Sequence, residues 1–139
     1  MQILIDTNVV LDFLLDREPF IKDAEILFQR IDANQIDGFI AATTLTNVYY
    51  IVRKAEGFKV AQETIAQILA DLQICPVDRQ ILEYSVALNF RDFEDAVQYA
   101  CAIAQNVDAI VTRDSKDFVN STIPVLSPRQ LLDQLASSS

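Results

Sequence analysis

The sequence predicts an α/β sandwich built on a parallel sheet. Two patterns point there: short apolar runs that recur along the chain, and segments of helical periodicity that separate each run from the next. A third observation bears on function, because acids stand directly behind two of these runs. In a parallel sheet the ligand crevice lies beyond the carboxyl ends of the strands, where the strand order reverses.

The expected strands are Ile3-Leu4-Ile5, Phe39-Ile40-Ala41, Ile74 to Val77, Ala109-Ile110-Val111 and Pro124-Val125-Leu126, each apolar on both faces as a covered parallel strand must be. The first helix is expected over Thr7 to Leu15. Ile21, Ala24, Leu27, Phe28 and Ile31 repeat at helical spacing, as do Ala61, Ile65, Ile68, Leu69 and Leu72. Further helices are expected over Thr43 to Glu56, Arg79 to Asn89 and Glu94 to Gln105. Gly57 stands where a helix C-cap is wanted, and Ser127-Pro128-Arg129-Gln130 reads as N-cap, first-turn proline and capping-box glutamine. Ser137 to Ser139 are expected to fray. Right-handed crossovers then stack helices on both faces of the sheet.

Composition narrows the chemistry. The chain has 139 residues, 51% of them hydrophobic, enough for one domain with its own core. It carries no histidine, which removes imidazole bases, Ser-His-Asp and Cys-His catalysis and His-ligated metals. Two glycines, Gly38 and Gly57, are too few for a phosphate-cradling loop or a dinucleotide fingerprint. Cys75 and Cys101 sit in apolar contexts, as reduced core thiols do, and no stretch is long enough to span a membrane, so a cytoplasmic protein is expected. A net charge of -9 has the wrong sign for gripping nucleic acid through bulk electrostatics, so an anionic substrate needs a local basic patch or a cation.

Carboxylates are what remains. Asp6 follows the first strand, and Asp114 follows the fourth, with Asp117 three residues later. Asp95 opens the helix before the fourth strand, beside Asp92 and Glu94, and crossover counting leaves its side of the sheet open. A lone Asp at such a junction is usually a helix cap. A cluster differs: two carboxylates ~5 Å apart at an effective dielectric of ~20 repel by roughly 3 kcal/mol. Oxygen-only ligands at an open crevice suit Mg²⁺ or Mn²⁺.

The segments Ile3-Leu4-Ile5-Asp6-Thr7-Asn8-Val9-Val10-Leu11-Asp12, Phe93-Glu94-Asp95-Ala96 and Asp108-Ala109-Ile110-Val111-Thr112-Arg113-Asp114 through Asp117-Phe118 together resemble the PIN-domain ribonucleases, which include toxins of bacterial type II toxin–antitoxin pairs. The likeness covers nearly the whole chain and implies a single PIN-like domain over residues 1–139. It implies a three-layer sandwich with five parallel strands in the order 3-2-1-4-5, which brings Asp6, Asp95 and Asp114 to one crevice. By the same likeness these three are metal-site acids, with Asp117 a fourth, and the activity is Mg²⁺- or Mn²⁺-dependent endoribonuclease action, that of the toxin of a toxin–antitoxin pair. An antitoxin partner is expected on that basis. A homodimer is expected because Tyr49, Tyr50, Ile51 and Phe58 supply more large apolar surface than one small sheet covers, and the likeness also points to dimers. One position departs from the family: its second acid, early in the helix after strand two, has no counterpart in Ala42 to Tyr49. Asn47 or Thr43 stands in for it, or Glu94 or Asp92 compensates.

Candidate RNA-guiding residues are Arg113 and Lys116, beside the fourth strand's acids, and Arg53 and Lys54 at a helix end, with Tyr49 and Tyr50 as stacking platforms for unpaired bases. The alternative is a catalytically inactive PIN-like module that binds RNA or protein. A phosphoaspartate enzyme with Asp6 as nucleophile fits less well, since position 8 is Asn where such a motif wants a second Asp.

Overall fold

A computed structural model describes residues 1–137. Strands β1 (Gln2–Ile5), β2 (Asp37–Ala41), β3 (Gln73–Cys75), β4 (Ala109–Val111) and β5 (Val125–Leu126) pair in parallel in the order β3-β2-β1-β4-β5. Helices α1 (Thr7–Leu14), α2 (Ile21–Asp32), α3 (Ala42–Glu56), α4 (Phe58–Asp71), α5 (Arg79–Leu88), α6 (Phe93–Gln105) and α7 (Pro128–Ser137) cover it. The predicted fold class and strand order hold.

Side-chain alternation along the strands divides the core in two. Ile3, Ile5, Ile40, Ala109 and Val111 pack with α1, α2, α3, α4 and Leu131 of α7. Leu4, Phe39, Ala41 and Ile110 point the other way, toward Val97, Cys101 and Ala102 of α6. The result is the three-layer arrangement, with helices on both faces of the sheet. Cys75 and Cys101 are both buried and form no disulfide, as core thiols do.

Several elements end where local chemistry requires. The third strand stops at Cys75 rather than reaching Val77, because Pro76 has no N–H to continue the ladder. Gly57 caps α3 at φ +95°, its N–H donating to the Arg53 carbonyl at 2.9 Å. With so few glycines, α5 and α6 end on left-handed Asn89 and Asn106. Gly38 is needed for another reason: a Cβ there would lie 2.9 Å from a Leu72 methyl carbon. The expected capping box is present, Gln130 N–H donating to Ser127 Oγ at 3.1 Å and Ser127 N–H to Gln130 Oε1 at 2.9 Å. Ser137 belongs to the last turn of α7, its hydroxyl donating to the Asp133 carbonyl, while 138–139 lie outside the described residues. No described helix is long and apolar enough to cross a membrane.

Candidate active site

The carboxyl ends of β1 and β4 lie side by side, and α1, α3 and α6 all begin at the same edge of the sheet. The crossover from β1 leaves the sheet to one side and that to β4 enters from the other, which opens a crevice between them. Asp6, the residue after β1, is 4% exposed. It occupies the N-cap position of α1 yet makes no side-chain capping bond, so the simple cap is not its role. Both of its carboxylate oxygens are held from elsewhere. Oδ2 accepts from the Thr112 hydroxyl at 2.6 Å, and Oδ1 accepts from Gln98 Nε2 at 2.9 Å.

Thr112 follows β4 and is itself fixed, accepting the Asp114 N–H at 3.1 Å and Asn8 Nδ2 at 3.4 Å. Gln98 lies one turn beyond Asp95 on α6, and its Nε2 also reaches Asp95 Oδ1 at 3.4 Å. The same amide accepts at Oε1 from Thr7 N–H at 3.1 Å and from Thr44 Oγ1 at 3.3 Å. Thr7 Oγ1 in turn donates to Glu94 Oε1 at 2.7 Å. Asp6 and Thr112, just after β1 and β4, thus form one connected polar cluster with side chains from α1, α3 and α6.

Its electrostatics are unbalanced. Burial raises the Asp6 carboxyl above its ordinary value, Glu94 adds to the rise, and the bonds from Thr112 and Gln98 only partly oppose it. Asp95 is pushed up to about 7, first by burial and then by the charges of Asp6, Asp92, Asp117 and Glu94. Among the described residues no Lys or Arg forms an ion pair with Asp6, Glu94, Asp95, Asp114 or Asp117.

The structure therefore brings Asp6, Glu94, Asp95 and Asp117 into one field. Asp114 is half-buried and tied to the cluster through its backbone N–H on Thr112. Asp117, on a short 3-10 helix over Ser115–Phe118, shares a cleft of about 930 Å³ with Asp95, Lys116 and Arg91. Of the substitutes for the missing acid, Glu94 enters the network. Asp92 caps α6, accepting the Asp95 N–H at 3.1 Å. On α3 it is Thr44, fully buried, that joins the cluster; Asn47 is half-buried, and Thr43 Oγ1 is buried without a hydrogen-bond partner.

The basic candidates separate. Arg113 grips the buried Asp12, with Nε 2.6 Å from Oδ2 and Nη2 3.3 Å from Oδ1, and its guanidinium lies 4.1 Å from the centre of the Phe20 ring. It braces the acidic loop against α1. Arg53 and Lys54 close the last turn of α3, about 16 Å along the axis from its start at the crevice. Lys116 lines the cleft. So do Arg91 and the rings of Tyr84, Phe90 and Tyr99, none of which sequence reasoning singled out, whereas Tyr49 packs on the core and Tyr50 lies edge-on to it.

A divalent cation fits this donor set by type and charge: every candidate ligand is a hard oxygen and their negative charge is not neutralised by any side-chain ion pair. The fit is not that of a ready cage, for among the described residues no three acids or cysteines stand close enough to enclose an ion.

A sequence profile of the PIN domain matches residues 2–116. The chain belongs to the PIN-domain family. Ribonuclease VapC1 of Aquifex aeolicus is 27% identical over 138 residues, covering 96% of this chain and 94% of that one. Two solved structures share the PIN fold closely. One is a toxin–antitoxin complex from Klebsiella pneumoniae, with a TM-score of 0.67 at 24% identity over 90% of this chain and 96% of that one. The other is FitAcB from Neisseria gonorrhoeae, with a TM-score of 0.67 at 22% identity over 91% of this chain and 98% of its own. Both likenesses extend over nearly the whole of this chain and show a shared fold.

Proposed function

We propose that this PIN domain is a divalent-cation-dependent endoribonuclease, acting in the cytoplasm as the toxin of a toxin–antitoxin pair. The observation that carries the reading is the pinned, buried Asp6 facing Asp95 across one amide, in a cluster of acids with no basic side chain bonded to it. Ribonuclease VapC1, similar over almost the full length of both chains, makes RNA the polymer of choice. That structural neighbours are toxin–antitoxin complexes supports an antitoxin as partner.

In this reading Asp6, Asp95 and Asp114 hold Mg²⁺ or Mn²⁺, with Asp117 at the cleft rim and Glu94 supplying the charge that the family's second acid brings from α3. The bound cation would supply a nucleophilic water and stabilise charge on the phosphate oxygens. The chain's own residues do the rest. Thr112 and Gln98 hold the Asp6 carboxylate by one hydrogen bond to each oxygen, which fixes its plane. Lys116 and Arg91 meet the RNA phosphates, and the cleft aromatics offer faces to unpaired bases. Tyr50 and Phe58, 64% and 59% exposed on α3 and α4, are the centre of a homodimer surface.

The test is incubation of purified protein with structured and unstructured RNAs, with and without Mn²⁺ or Mg²⁺, beside Asp6→Asn, Asp95→Asn and Asp114→Asn. Cation-dependent cleavage lost in chelator and in the variants is expected. No cleavage of any RNA in any metal would favour the catalytically silent module, and cleavage surviving all three substitutions would refute the site.

A further inference from the structure

Gln98 is the one fully buried polar side chain of α6, in a run whose other buried members are Ala96, Val97, Tyr99, Ala100, Cys101 and Ala102. Its amide has a single chemically consistent orientation. The Thr7 backbone N–H can only donate, so the atom facing it is the carbonyl oxygen Oε1. Nε2 therefore faces Asp6 Oδ1 at 2.9 Å and Asp95 Oδ1 at 3.4 Å, giving one hydrogen to each acid. Those acids come from different elements, one from the end of β1 and the other from the first turn of α6.

We infer that Gln98 is a positioning residue for the cation site, an amide clamp that fixes the two carboxylates against each other while presenting no ligand of its own. The inference rests on the reading of Asp6 and Asp95 as metal-site acids. Two features favour it over simple packing. An apolar residue would fill the same volume, yet the helix spends a buried amide here, and the neighbouring groups are arranged to keep that amide from turning. Thr7 N–H and Thr44 Oγ1 both meet Oε1, so rotating the amide would set Nε2 against the Thr7 donor. Groups that orient metal ligands in this way commonly change metal affinity or activity by about 10–100-fold when removed.

The test is calorimetric titration of Mn²⁺ into wild type and Gln98→Met, whose unbranched side chain conserves volume, with circular dichroism to establish folding. The expected result is native secondary structure with Mn²⁺ affinity weaker by about 10–100-fold. Binding equal to wild type in a folded Gln98→Met overturns the clamp alone. A wild type that binds no Mn²⁺ overturns the metal site and the clamp with it. Should Gln98→Met fail to fold, Gln98→Glu decides. It keeps the acceptor for Thr7 but turns a charge toward Asp6 and Asp95, so its metal-free melting temperature falls below wild type and the gap closes with Mn²⁺. An unchanged metal-free melting temperature overturns the clamp.

Discussion

Asp6 receives charge-assisted bonds on both oxygens and still has its carboxyl raised above the ordinary range. Burial and the neighbouring Glu94 thus outweigh the bonds, and the site prefers a neutral group at this position. Asp6→Asn supplies one of nearly the same shape. It forfeits no capping bond, because the Asp6 side chain makes none. The metal-free variant should melt a few degrees above wild type, equivalent to about 1 kcal/mol in a domain of this size, while losing Mn²⁺-dependent cleavage. A melting temperature unchanged with and without metal would count against acids crowded for a cation. Glu94 offers a second residue-scale contrast. Glu94→Gln can retain the Thr7 bond but removes a charge from the field of Asp6 and Asp95, so Mn²⁺ binding should weaken by roughly tenfold or more. Asn47→Ala, outside the network, should leave it unchanged. Equal losses from the two, measured by titration, would return the second position to α3.

The segment after β4 carries both acids and bases, and its elements assign them different work. Arg113 is anchored by the Asp12 carboxylate, 1% exposed, so removing it strands a buried charge that Arg17, 4.0 Å away, only partly meets. Arg113→Ala should cost about 2–3 kcal/mol, somewhat below the loss for a fully enclosed pair because part of the Arg113 side chain reaches solvent. Lys116→Ala should leave stability within about 0.5 kcal/mol and weaken RNA binding, with a shallower dependence on salt. Denaturant unfolding beside RNA titration separates the two; a destabilised Lys116→Ala with unchanged RNA affinity would reverse the assignment. These roles differ in how far the sequence exposed them. The places of Asp6 and Asp114 behind β1 and β4 are legible because the strands before them are plain apolar runs and the strand-end rule says where to look. Arg113 was misleading, since a basic residue beside an acid motif gives no hint of a partner on α1, a hundred residues upstream. Gln98 was hidden more deeply. A single amide in a helical stripe reads as a surface position, and its partners Thr7 and Thr44 come from helices distant in sequence. The short 3-10 helix at Ser115–Phe118 has no apolar period at all, and only Phe118 is buried.

At the scale of the whole molecule, surface and charge are each expected to be completed by something else. Tyr50 and Phe58 leave an aromatic surface on α3 and α4, so light scattering at micromolar protein should give a dimer mass that Tyr50→Ser with Phe58→Ser reduces toward the monomer. A wild-type monomer would remove the dimer. The charge argument has a definite sign. Asp95 holds its proton up to about 7 in the folded chain, against an ordinary value of 3.8, so between those limits the folded state binds more protons than the unfolded one. Stability then falls with rising pH: the contribution is full below about pH 4 and is lost as pH passes through 7. Asp95 is half-exposed, so solvent screens this contribution to about 1–2 kcal/mol. Asp6, raised in the same direction, adds to it. The metal-free protein should therefore melt several degrees higher at pH 5.5 than at pH 8. Asp95→Asn should flatten most of that slope, because no proton remains to be lost at this position. Saturating Mn²⁺ should recover stability at pH 8 far more than at pH 5.5, since it binds the ionised acids and must displace protons at the lower pH. Melting curves of wild type and Asp95→Asn at both pH values, with and without Mn²⁺, test the linkage directly. Parallel slopes for the two proteins would show that Asp95 ionises as an ordinary surface acid, and that the crowding inferred around it does not exist.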